Sequence, residues 1–347
     1  MRPMLQKQNA RLSWLPMAIL IALLGCGTHP TASTPGRITD GERYRAIAAD
    51  NPWAARCMLT CGLHVHVALV DGDRALAIYN ALRSFLPEIG ALAANSPYWG
   101  RRHTGIASTR LQLNRSLVRN GVPPAFESWQ AYAELVEWGV ASGTMPDPSY
   151  QWWDLRLHPA LGTIEVRVCD AQTELAETVA LVALVQALTV WLAERYDAGE
   201  RLPFHDGGRI AESLWLGMRT GAPGELANLD TGTREPTVER ISRLVDALEP
   251  TARELGTDDR LAGLPGLAAT RGADRQEGVA GDQGLDGLVD WLARRTLDSA
   301  FAYRSRDEVT RDPQRMPDNL LAPRDPPLER RGADRDLRGS GRAAVGT

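Results

Sequence analysis

Only one of the 39 basic residues in this 347-residue chain is a lysine, Lys7; every other is arginine. A phosphate or carboxylate held here must therefore be held by guanidinium groups, backbone amides or metal. Charge of one sign is also missing, because 43 acidic residues leave a formal net charge of −4. With no extended basic stripe, the field is too weak for a nucleic-acid partner. Four cysteines in so long a chain do not make a disulfide scaffold, so reduced thiols in a cytoplasmic setting are expected. There is no G-x-x-x-x-G-K-[ST] loop, no G-x-S-x-G elbow, no dinucleotide fingerprint and no internal repeat. What is present is ordinary globular material: 44% apolar and 24% charged residues, enough for one large domain or two smaller ones.

The first 26 residues contain no Asp or Glu. Arg2, Lys7 and Arg11 precede an apolar run from Trp14 to Gly25, and Cys26 follows. In isolation this has the shape of a lipoprotein signal ending at Leu23-Leu24-Gly25-Cys26, and the run is too short for a mature membrane span. The competing reading is a buried apolar piece of a globular domain. Downstream, the pattern predicts helices over 40–50, 73–85, 88–94, 127–142, 175–197, 207–220, 236–255 and 286–299. Leu175–Asp197 is apolar on nearly all sides, which argues for burial. Strands are expected over 59–70, 151–157 and 162–169. A Gly/Asp-rich loop is expected over 267–285, and a disordered Arg/Asp/Pro/Gly tail from about 303.

The strands carry the chemical signal, because residues i and i+2 share a face. Leu63, Val65, Val67 and Leu69 alternate with His64 and His66; Ile164, Val166 and Val168 alternate with Thr163, Glu165 and Arg167. Trp153, Leu155 and Leu157 alternate with Asp154, Arg156 and His158. A face bearing imidazoles, a carboxylate and guanidiniums is costly unless these groups hold one another or a bound ion. Cys57 and Cys61 suggest zinc by spacing, but Cys61 is expected on the face opposite His64, which argues against one tetrahedral centre.

Cys61-Gly-Leu-His-Val-His-Val67, Ala91-Leu-Ala-Ala-Asn-Ser-Pro97, Trp152-Trp-Asp-Leu-Arg156 and Gly162-Thr-Ile-Glu-Val-Arg-Val-Cys-Asp170 occur in this order. The set resembles the carboxylate–amine ligase family related to type 2 glutamate–cysteine ligases, and more distantly the glutamine synthetase superfamily. Gly27-Thr-His-Pro30 is similar to that family's pattern too, and Gly272-Ala-Asp-Arg-Gln276 is weakly so. The resemblance implies an α+β fold: a curved antiparallel sheet of glutamine synthetase-like type with helices packed on its outer face. It implies a catalytic domain over 27–300, between an apolar segment over 1–26 and a tail over 301–347.

The implied chemistry is ATP-dependent amide formation through an acyl phosphate. ATP and Mg²⁺ or Mn²⁺ are the implied cofactors, with glutamate and an amine such as cysteine as small-molecule partners. By resemblance, Glu165 and His64 would hold a metal, and Arg167 would bind the transferring phosphate. Arg156 and Arg110 would bind phosphate or carboxylate, and His66, Asn95 and Ser96 would contact nucleotide or substrate. The family's opening Gly-Val-Glu-x-Glu strand has no counterpart here. Three expectations stay open: a truncated chain, a degenerate member with weak or no turnover that still binds nucleotide, or strands supplied by another polypeptide. A homo-oligomer also stays open. The location implied is cytoplasmic with no stable membrane span, the alternative being a lipoprotein anchored at Cys26.

Overall fold

A computed structural model describes residues 23–32, 38, 40–69, 71–269 and 272–310, with side chains in the last helix described through Tyr303. The expected basic stretch and most of the apolar run, over 1–22, and the expected tail over 311–347 lie outside the described residues. In chain order the main elements are α1 (Glu42–Asp50), α2 (Pro52–Cys57), β1 (Gly62–Ala68), α3 (Gly72–Leu82), α4 (Leu86–Leu92), β2 (Tyr98–Trp99), β3 (Arg102–His103), α5 (Thr109–Asn114) and α6 (Trp129–Ala141). They continue with β4 (Leu155–His158), β5 (Thr163–Asp170), α7 (Leu175–Asp197), α8 (Gly207–Thr220), β6 (Glu225–Ala227), β7 (Arg234–Pro236), α9 (Thr237–Glu254), α10 (Asp258–Leu261), α11 (Leu264–Ala269) and α12 (Gly272–Thr310).

Local chemistry explains many of the boundaries. The Asp71 carboxylate accepts from the Arg74 amide at 2.8 Å and starts α3; Ser128 accepts from the Ala131 amide at 3.1 Å and starts α6. Asp206 accepts from the amides of Gly208 and Arg209 and starts α8. Between β4 and β5 the chain turns through Gly162 at φ 63, a left-handed conformation that any side chain would strain.

The central sheet is antiparallel in the order β1-β5-β4. Its apolar face, carried by Val65, Val67, Leu155, Leu157, Ile164, Val166 and Val168, joins the main core, where α3, α4 and α7 pack against it. At about 1.5–3 kcal/mol per buried large aliphatic side chain, this face is what fixes the register of the opposite one. The register shifts between Leu63 and Val65, so Arg167 and Val168 together oppose His64.

The helix α7 is long and apolar enough to cross a membrane, yet β1, α3, α9, α10, α11 and α12 all pack on it. The bidentate Arg74–Asp197 pair, at 2.9 and 2.8 Å, ties its end to α3.

Two expectations give way. The stretch over 267–285, read as a loop from its glycines, is helical over 264–269 and again from Gly272, with one break at Gly284 (φ 71). Glycine costs a helix about 1 kcal/mol each, but Ala273, Leu288 and Leu292 are buried, so packing overrides local preference. Likewise α12 runs on to Thr310, beyond the expected start of the tail.

Candidate active site

The polar face of the sheet closes on one carboxylate. In register, Glu165 lies across from His66 on β1 and from Arg156 on β4. Its Oε2 accepts from Arg156 Nε at 2.8 Å and pairs with the same guanidinium's other arm at 2.6 Å. Its Oε1 accepts from Arg167 at 2.6 Å, with His64 Nδ1 at 3.2 Å and His66 Nε2 at 3.5 Å. The H-x-H and E-x-R strands thus do bring their side chains to one place. Burial would push the Glu165 carboxyl up, but the His64 hydrogen bond and the Arg167 and Arg156 guanidiniums outweigh it and hold the group well below the usual range.

The His64 imidazole sits lower than an ordinary histidine: its hydrogen bond to Glu165 raises it, and burial with Arg167 and Arg110 more than reverses that. Its Nδ1 lies 3.2 Å both from Glu165 and from Arg167 and can serve only one of them. Arg167 already has the better acceptor in Glu165 at 2.6 Å, so we assign the proton to Nδ1 of a neutral ring.

Beside this cluster opens a cavity of about 410 Å³. Its polar wall includes His64, Arg110, Asn114, Asn120, Asp154 and Arg167; Ile47, Met58, Leu59 and Leu117 line another part. Arg167 is fixed at one nitrogen by Glu165, while its Nε is buried without a hydrogen-bond partner among the described residues. Arg110 is more committed, donating to the carbonyls of Arg167 at 2.8 Å and Val168 at 3.3 Å and pairing with Asp170 at 3.5 Å.

The model of glutamate–cysteine ligase family 2 matches residues 5–281. The chain belongs to that family. A Gloeobacter violaceus protein, provisionally named glutamate–cysteine ligase 2, is 40% identical over 261 residues, covering 75% of this chain and 70% of its own. A Rubrobacter xylanophilus relative, provisionally named glutamate–cysteine ligase 2-3, is 38% identical over 278 residues, covering 79% and 74%. Among solved structures, the Pup ligase PafA in complex with ADP aligns with a TM-score of 0.37 at 15% identity, covering 88% of this chain and 57% of that one, too slight a likeness to argue from.

Several residues that the family resemblance put in the site stand elsewhere. Asn95 and Ser96 are fully buried and line no part of the cavity. The Asn95 side chain donates to the carbonyls of Gly25 and Ala171 and accepts from Gln276 at 2.7 Å, while Ser96 donates to Asp170 at 2.7 Å. Gly27 meets the same knot, its amide donating to the Asn95 carbonyl and its Cα against the Asp170 carboxylate. The segments containing Gly27, Asn95, Asp170 and Gln276 therefore form a buried polar junction behind the sheet. Arg156 is spent on Glu165 and on the carbonyls of Ser149 and Gln151. His66 bonds Thr163 at 2.9 Å and does not line the cavity.

Nor do the residues fit a protein-held divalent cation. Both Glu165 oxygens are taken by guanidiniums, and among the described residues no group of three or more His, Cys, Asp or Glu is placed to hold a metal. Cys26, the lipoprotein alternative's anchor, is buried in a cluster with Tyr98, Leu288 and Leu292, and burial pushes its thiol up to about 12. An acylated Cys26 would have to leave that cluster.

The reading of the strands did not single out Asp154. It stands just before β4, is only 4% exposed and opens onto the cavity. The signal was present, since Asp154 shares the polar face of its segment with Arg156.

Proposed function

We propose that this chain joins a carboxylate, glutamate first among the expected substrates, to an amine such as cysteine at the expense of ATP. The carboxylate oxygen takes the terminal phosphoryl group and ADP leaves. The amine nitrogen then attacks the acyl carbon, the bond to phosphate breaks, and the nitrogen gives up a proton as the amide forms. A cytoplasmic location, where ATP and free amino acids meet, goes with this reading.

The observation that carries it is Arg167, a residue of the cavity wall whose guanidinium is held rigidly by Glu165. A preoriented guanidinium with spare donors suits an oxyanion that gains charge as the phosphoryl group moves. Arg110, on the same wall, adds positive field without moving.

In the purified chain, ADP release should require both glutamate and the amine, and Arg167→Ala should lower it by two orders of magnitude or more. Release indifferent to the carboxylate substrate, or to loss of Arg167, would overturn the reading. The closed state of Glu165, with both oxygens on arginine, favours a second reading in which the chain binds nucleotide without turnover. Nucleotide binding with no ADP release at any substrate concentration would identify it.

A further inference from the structure

Among the described residues the cavity lining holds one carboxylate, and nothing pairs with it. Asp154 is 4% exposed and lines the cavity, and its side chain makes no hydrogen bond or ion pair among the described residues. Arg110 and Arg167 are on the same wall, but their shortest contacts go to the backbone of β5 and to Glu165. A carboxylate left this way is costly to bury, and burial holds its pKa above the usual range despite Arg115, Arg110 and Arg167 nearby. With no hydrogen bond of its own, the carboxylate is open to a donor brought by a ligand. Part of the lining, Ile47, Met58, Leu59 and Leu117, is hydrocarbon and suits an apolar body attached to the cation.

We propose that Asp154 holds the ammonium of the acceptor, and that this acceptor is a primary amine with an apolar body seated on Met58, Leu59 and Leu117. The proposal rests on the ligase reading for the word acceptor, and on the cavity alone for the ligand's chemistry. It places the nitrogen on the wall that also carries Arg167; the bound ammonium gives one proton to Asp154 to become the attacking amine, and the nitrogen loses its second proton as the acyl–phosphate bond breaks and the amide forms. Asp154 is then a specificity residue, selecting for a charged head, while the hydrocarbon wall selects the tail.

Isoamylamine and isoamyl alcohol, which share a body and differ in the charged head, are the probes, titrated into the full chain at neutral pH and followed by ligand-observed NMR. The amine should bind the wild type at least about tenfold more tightly than the alcohol. Asp154→Asn should remove that preference, with the alcohol's affinity unchanged as the sign that the cavity is intact. Met58→Gln should weaken isoamylamine but not methylamine, which has no tail to place.

Equal binding of amine and alcohol to the wild type, which needs no variant to fold, would overturn the proposal. So would an Asp154→Asn chain that keeps the preference. The ligase reading is tested separately by glutamate-dependent ADP release. Isoamylamine bound through Asp154 without any ADP release would sink that reading and leave the pocket standing; ADP release with cysteine and no amine preference would do the reverse.

Discussion

Glu165 accepts from two guanidiniums and contacts two imidazoles while its side chain is only 2% exposed. Removing its charge leaves Arg156 and Arg167 buried without a counterion. Glu165→Gln should therefore cost on the order of 3–5 kcal/mol, read as a lower urea midpoint, which is larger than an exposed pair would give. The same residue sets the acid limb. A carboxyl depressed in the folded chain contributes stability that is present above its unfolded value of about 4.3 and lost as pH falls toward the folded one. Stability of the wild type should thus decline below about pH 4, and the decline should be shallower in Glu165→Gln. Asp154 has the opposite sign. Its raised pKa means that ionisation works against folding, so stability falls as pH rises from about 3.9 toward the folded value. Asp154→Asn should melt at the same temperature as the wild type or higher at neutral pH, a result that marks the carboxylate as kept for something other than the fold.

Elements place these residues, and here the legible and the illegible part company. The alternation over 63–69 and 163–168 announced two strands with one polar face, and the structure pairs them with His66 opposite Glu165. The shift opposite His64 left no such trace, because a bulge adds one residue without breaking the local pattern. Asn95 and Ser96 stood among the expected ligand contacts through the family resemblance alone. Their partners are Gly25, Asp170, Ala171 and Gln276, far along the chain, and only the fold supplies those. Asn95→Ala, which strands the groups it satisfies, should cost on the order of 3 kcal/mol in chemical denaturation. Gly272→Ala should act in the same direction, since its new methyl would land within 2.0 Å of the Asn95 side-chain oxygen. An unchanged urea midpoint in both variants would argue that the junction between α12 and the sheet is not a structural one.

At the scale of the whole molecule, α7 is the axis around which sheet and helices assemble. Leu181, Leu184, Val185, Leu188 and Leu192 are each at most 1% exposed, and neighbours lie on several sides. Its central amides should exchange with solvent last, near the global unfolding limit, while those of α1, which has no buried residue, should exchange early. The apolar character of 175–197 was plain in the sequence, and so was its burial. What surrounds it was not, because the glycines over 272–287 mask a helix whose Leu288 and Leu292 bury against Cys26 and Tyr98 and which packs on α7. The family match covers 175–197 and runs into the second region as far as residue 281.

The cationic wall of the cavity is built from Arg110 and Arg167, with no primary amine among its members. Succinimidyl esters and aldehydes, the usual reagents for biotinylation or surface coupling, find a single side-chain target in this chain, Lys7. Protein attached to a support through such chemistry keeps every guanidinium that faces the cavity, so immobilised material remains fit for ligand screening.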